Sequence, residues 1–277
     1  TVSMPIEEAV QMLRGPRGSK VAIWVKRKGW PDARKFVITR ERIKLQSVES
    51  EMLANNVGYI KIKNFQQNTG QDLEKKLNAL DKKAGGSMAG LVLDLRNNPG
   101  GLLEQAIRVS DAFVARGNIV TTVGYGNRLR DPKQATPEKT RRDLPVAVLV
   151  NKGSASASEL VAGARKNLDR AVIIGERTFG KGSVQVLYDF ADNSALKLTI
   201  AQYLTPGDVS IQNEGVAPDI ALSPAWIEDR GVRLFYRPEG HREKNLDKHL
   251  ERPNAIKAKR ALRQARYSLT YLVEARS

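Results

Sequence analysis

Two short segments carry the residues best suited to covalent chemistry: Gly153-Ser154-Ala155-Ser156-Ala157-Ser158-Glu159 and Phe179-Gly180-Lys181-Gly182. A serine becomes a nucleophile only when a base takes its proton, and a lysine held neutral can serve as that base. The serine cluster opens what reads as a helix, so a serine at that junction has an exposed Oγ with the positive helix end beside it. Ser156 is the central candidate, while Ser154 and Ser158 read equally as caps or packing residues. The N–H of Ala157 would be among the unpaired donors of the first helical turn. Lys181 lies between glycines in an otherwise apolar setting, which disfavours the charged form of a lysine, as a base requires. Gln185, four residues on, would share a face with Lys181 in an extended strand, where its amide could orient the amine. Taken alone, an exposed turn lysine explains the second segment as well.

A third segment, Asp94-Leu-Arg-Asn-Asn-Pro-Gly-Gly101, follows an apolar strand. Paired glycines let the backbone turn sharply and present free N–H groups, which suits an oxyanion. A plain loop ahead of a helix fits this segment alone equally well.

Composition removes other chemistries. The chain has no cysteine, which excludes thiol catalysis, thiolate metal sites and disulfides and fits an exported protein. Its two histidines, His241 and His249, both fall in a polar tail without a third ligand, so neither a metal nor a cofactor is expected. A net charge of +16 favours acidic partners. The basic residues are spread along the chain and no nucleic-acid motif accompanies them, so a solvated surface is expected rather than specific nucleic-acid binding. No apolar run approaches the ~20 residues of a spanning helix. The first residues read as the inside of a domain, so a targeting segment is expected upstream of Thr1.

The elements that must position these segments follow from periodicity. Ile6, Ala9, Val10 and Leu13 recur at helical spacing, and 20–26 and 36–39 read as two strands around the turn Gly29-Trp-Pro-Asp32. From Ser47 onward, strands are expected at 57–63, 90–95, 119–123, 146–150 and 171–174, with helices at 71–83, 102–113 and 156–166. Such alternation predicts α/β units on a parallel sheet, whose carboxyl edge is the usual place for a site. Residues 125–143 are polar and basic and read as a surface loop or lid. Beyond Pro218 the sheet pattern stops, and Ala258, Leu262, Ala265, Leu269 and Leu272 mark a basic amphipathic helix.

Together with Gly175-Glu-Arg-Thr-Phe-Gly-Lys-Gly182 and Gly215-Val-Ala-Pro-Asp219, the three segments resemble the carboxy-terminal processing proteases, the tail-specific Ser-Lys peptidases. The resemblance covers residues 47–222. It implies Ser156 as nucleophile, Lys181 as base 25 residues later, Gln185 as the support of the lysine, and the N–H groups of Gly101 and Ala157 as oxyanion donors. It implies a core of the repeated ββα type shared by crotonases and the proteolytic subunit of the Clp protease. Residues 1–46 resemble the second half of a PDZ domain, without its carboxylate-binding loop, and residues 223–277 form a basic tail. The implied activity is a serine endopeptidase acting near substrate C-termini, extracytoplasmic in the bacterial periplasm or at a membrane. Implied partners are polypeptides with a free C-terminus, with a homo-oligomer, an adaptor or peripheral membrane contact as further possibilities. Two rivals stand beside this reading. A crotonase-like acyl-CoA enzyme should carry an acid near the glycine turn, where Glu104 is the only close candidate, and an inert peptide-binding scaffold would keep the fold without turnover.

Overall fold

The computed structural model describes residues 4–41, 46–124, 129–141, 143–192, 194–222, 225–228, 231–234 and 242–246. The contacts divide the chain into two units, one up to Gln46 and one from Ser47.

In the first unit, helix α1 (Ile6–Leu13) is followed by strands β1 (Lys20–Val25) and β2 (Arg34–Thr39), paired antiparallel. The last carbonyls of a helix have no partner within it. Arg40 supplies one here, donating to the carbonyls of Leu13 (2.8 Å) and Met12 (2.9 Å). Val10, Leu13, Trp24 and Val37 stay exposed, so these short elements bury little apolar surface by themselves.

The second unit runs β3 (Val48–Met52), β4 (Val57–Ile62), α2 (Thr69–Lys83), β5 (Gly90–Asp94), α3 (Leu103–Asp111), β6 (Asn118–Gly124), β7 (Arg130–Gln134), β8 (Val146–Val150), α4 (Ala157–Asn167), β9 (Val172–Gly175), β10 (Ser183–Asp189), β11 (Ala195–Thr205), β12 (Val209–Ser210) and β13 (Ile220–Ala221). A short hairpin of β14 (Ala225–Glu228) and β15 (Gly231–Leu234) follows. The main sheet has the order β13-β9-β8-β5-β4-β3, parallel except for β3 at its edge. Strand β8 reads Val-Ala-Val-Leu-Val because a central parallel strand is covered on both faces. Leu73, Leu77 and Leu80 of α2, Val109 of α3 and Leu160 and Val161 of α4 join Ile60, Leu93 and Val148 of the sheet in one core.

A second, antiparallel sheet runs β10-β11-β6-β7, with β12 on β11. It corrects three expectations. The strand around 119–123 belongs here and not to the parallel sheet, because alternation of strands and helices does not say which sheet a strand joins. The stretch 125–143 is not only a loop or lid: it contains β7, whose sequence Arg-Asp-Pro-Lys-Gln has no apolar alternation because an edge strand needs only its backbone to pair and tolerates proline. The sheet does not stop at Pro218 either, since β13 pairs with β9 through Ile220 and Ala221, a length too short to leave a pattern. The amphipathic stretch 258–272 and both histidines lie outside the described residues.

Candidate active site

Strands β9, β8 and β5 are neighbours and parallel, so their carboxyl ends share one edge of the sheet, and each runs on into one of the three chemistry-bearing segments. The segment after β5 is fastened by Asp94. Its buried carboxylate accepts Arg96 Nε (3.0 Å), Arg96 Nη2 (2.7 Å), the Arg96 N–H (2.9 Å) and the Tyr59 hydroxyl (2.6 Å). Burial pushes this carboxyl up, but the hydrogen bonds from Arg96 and Tyr59 outweigh it and hold Asp94 below the usual carboxylate range. Four residues after Asp94, buried Asn98 accepts the Gly100 N–H (2.9 Å) on its side chain and donates to the Ile62 carbonyl (2.8 Å).

The backbone carbonyl of Asn98 joins this turn to the serine cluster by accepting the Ala155 N–H (3.0 Å) and the Ser158 hydroxyl (2.9 Å). Gly100 lies against the same cluster. A Cβ there would stand 2.8 Å from the Ala155 oxygen and 2.9 Å from Ser156 Cβ, and its φ of +102° is open only to glycine. The three serines are now distinguished. Ser154 gives its hydroxyl proton to the Leu95 carbonyl (2.8 Å) and Ser158 to Asn98, and both are fully buried. Ser156 is partly exposed, and among the described residues its hydroxyl gives its proton to no protein acceptor. It stands at the N-cap of α4 with φ 54° and ψ −116°, a sparsely populated conformation that persists only where surrounding contacts impose it. The N–H of Ala157, next to Ser156 in the chain, and the N–H of Gly101, next to Gly100, donate to no acceptor among the described residues.

The surrounding contacts come chiefly from Glu159, fully buried in the first turn of α4. Its Oε2 accepts the N–H of Ser156 (2.8 Å) and the N–H of Lys181 (2.8 Å). Its Oε1 accepts the N–H of Gly180 (2.7 Å) and the Thr178 hydroxyl. One carboxylate therefore ties the backbone at the serine to the backbone at the lysine, with Phe179 N–H donating to the Ser154 carbonyl (3.0 Å) as a further link. Burial pushes the Glu159 carboxyl up to about 7, although the hydrogen bonds from Thr178, Lys181, Ser156 and Gly180 each act downward.

Lys181 follows β9 in this glycine loop, half-buried, and among the described residues its side chain makes no ion pair or hydrogen bond. Gln185 lies on β10 and is exposed, with its Nε2 3.5 Å from Thr199 Oγ1. Strand β10 begins at Ser183, so Lys181 lies ahead of the strand that carries Gln185. The structure thus gathers Gly101, Ser156, Ala157 and the backbone of Lys181, and does not join Gln185 to them by a hydrogen bond. Glu104, the acid a crotonase-like enzyme would use, is exposed in the first turn of α3. The groove lined by Asn68, Glu74, Arg108, Asp111 and Arg141 contains none of these residues.

Sequence reasoning overlooked Glu159 as a fastener, although a serine followed three residues later by a glutamate at a helix start is a capping-box signature. For Asn98 and Thr178 no local signal exists, since their partners are remote in the chain.

Residues 56–222, more than half the chain, match peptidase family S41. The chain belongs to that family. Among its S41 relatives, a carboxy-terminal-processing protease of Bartonella bacilliformis is 41% identical over 218 residues, 78% of this chain and 50% of that protein. The carboxy-terminal processing protease CtpA of Bacillus subtilis is 39% identical over 217 residues, 78% of this chain and 46% of the relative. A solved structure of a photosystem II D1 C-terminal processing protease superposes with a TM-score of 0.59 at 34% identity, covering 75% of this chain and 56% of that one. The chain thus spans about half the length of the curated S41 relatives it matches.

Proposed function

We propose that this chain carries the active site of a serine endopeptidase of the carboxy-terminal processing type, with Ser156 as nucleophile and Lys181 as base. The observation that supports it most is the sorting of the serine cluster: Ser154 and Ser158 give their protons to backbone carbonyls, while Ser156 keeps its own and the N–H groups of Ala157 and Gly101 stay unengaged among the described residues. In this reading Lys181 Nζ takes the Ser156 hydroxyl proton as Oγ bonds to a peptide carbonyl carbon. The oxyanion that forms takes hydrogen bonds from the N–H groups of Gly101 and Ala157, each worth about 3 kcal/mol in comparable sites. On collapse the amine leaves with the proton from Lys181, and water then releases the acyl group by the same route. In this reading the Gln185 amide orients the Lys181 amine.

Family membership favours this over an acyl-CoA enzyme, and the exposed Glu104 leaves that rival without a placed acid. We propose further that the core is of the crotonase and Clp type, that residues 1–46 are the second half of a PDZ domain, and that the substrates are polypeptides with a free C-terminus. We propose an extracytoplasmic setting; among the described residues no helix is long and apolar enough to cross a membrane. Mass mapping after treatment with an acylating serine probe tests the assignment. Modification at Ser156 is expected, lost in Lys181→Ala; an unmodified Ser156 in the folded parent would refute it.

A further inference from the structure

Lys181 stands in a loop bracketed by glycines, which have more backbone freedom than any other residue, so its position depends on what holds the loop. Glu159 holds it from within. From the other side, buried Gln212 accepts the Gly182 N–H on its Oε1 (2.8 Å), and the Asn213 N–H donates to the Gly180 carbonyl (2.8 Å). Both neighbours of Lys181 are thereby fastened to residues 212 and 213.

A second layer covers that fastening. Residues 242–246 contain a single 3-10 turn, Glu243–Asn245, which lies beyond residue 222, the end of the family match. The Glu243 N–H donates to the Phe179 carbonyl (3.2 Å), and its Oε1 accepts Gln212 Nε2 (3.4 Å). Arg242 Nη2 donates to the carbonyls of Glu214 (2.9 Å) and Asn213 (3.4 Å). Glu243 is only 8% exposed, which a solvated polar tail does not explain. Its chemistry does. A carboxylate only accepts, so together with Asn213 Oδ1 (3.2 Å) it holds the NH2 end of the Gln212 amide on its side and leaves the oxygen end toward Gly182.

We infer that residues 242–246 are a strap over the active-site loop and that Glu243 is a positioning residue, which sets the orientation of Gln212 and through it the place of Lys181. The inference rests on Lys181 being the base. The full 277-residue chain with Glu243→Ala should lose about tenfold or more in kcat with KM nearly unchanged, since misplacing a reacting group costs rate rather than ground-state binding. Glu243→Gln, which can still present an oxygen to Gln212, should stay within about threefold of the parent, and Glu243→Asp, one methylene too short, should fall with Glu243→Ala. Glu243→Pro keeps the turn but removes the N–H as well as the carboxylate, and should be slower than Glu243→Ala. Combining Gln212→Ala with Glu243→Ala should cost no more than the worse single change. Should Glu243→Ala fail to fold by its melting curve, the Gln and Asp pair decides. Equal kcat in those two, or a loss carried by KM, overturns the strap. Lys181→Ala, assayed in parallel, separates the two readings: turnover in that variant removes the base and the inference with it. A dead Lys181→Ala beside unaffected Glu243 variants removes the strap alone.

Discussion

At the scale of single residues, the candidate site is organised by a carboxylate that bonds the backbone around Ser156 and Lys181 and neither Ser156 Oγ nor Lys181 Nζ. Each of the two Glu159 oxygens accepts two donors, one of the four at the serine and the rest on the lysine loop. Glu159→Gln, which brings an NH2 group against those donors, should lower kcat by about 10- to 100-fold with KM kept, read by steady-state cleavage of a peptide. The same residue makes a signed prediction for stability. Its folded carboxyl is raised to about 7, so the native state holds a proton that the unfolded chain releases. The contribution is full below the unfolded value and falls by about 3 kcal/mol as pH rises to near 7. Melting curves between pH 4 and 8 should show this decline in the parent and not in Glu159→Gln, roughly at the rate that linkage requires. Gly100→Ala should destabilise by about 1–3 kcal/mol, because a side chain at its φ of +102° is strained and meets Ser156. The candidates Ser156 and Lys181 could be named from the sequence because both stand in motifs set by local turns. Glu159 was legible only as a cap, since its second set of partners lies about twenty residues further along the chain.

At the scale of elements, the site exists because three neighbouring parallel strands end together. The strands β5 and β8 could be read from apolar runs, because burial on both faces leaves a continuous signature, and α3 between them from its helical spacing. Strand β7 and the two-residue β13 could not, since edge pairing and very short pairing are backbone matters that impose little on side chains. The end of β5 carries its own test. Asp94 is held below the usual carboxylate range, so its contribution to stability is present above the unfolded value and lost as pH falls through the folded one. Asp94→Asn should therefore weaken the acid-side loss of stability seen in the parent, opposite in sign to the effect of Glu159. Equal acid-side slopes in the two proteins, measured by denaturant unfolding, would remove Asp94 as the fastener of the turn.

At the scale of the whole molecule, the family match lies within the second unit, while the strap proposed at Glu243 lies beyond the matched residues. A PDZ domain captures a terminal carboxylate with the backbone N–H groups of one loop, and on the proposal that residues 1–46 are its second half that loop is not among these 277 residues. This 277-residue chain should then cleave a peptide and its C-terminal amide at rates within about twofold of each other. A strong preference for the free acid would place a carboxylate reader elsewhere in this chain. The basic surface, net +16, should also make its association with acidic polypeptides weaken as salt rises.

The central claim is that Ser156 and Lys181 act as one unit. Steady-state cleavage of a single peptide by Ser156→Ala, by Lys181→Ala and by the double variant tests it most directly, with folding of each checked by its melting curve. Each single change should remove nearly all activity, and the pair should cost little more than either, because residues that act together are not additive. Substantial turnover by either folded single variant would contradict the account.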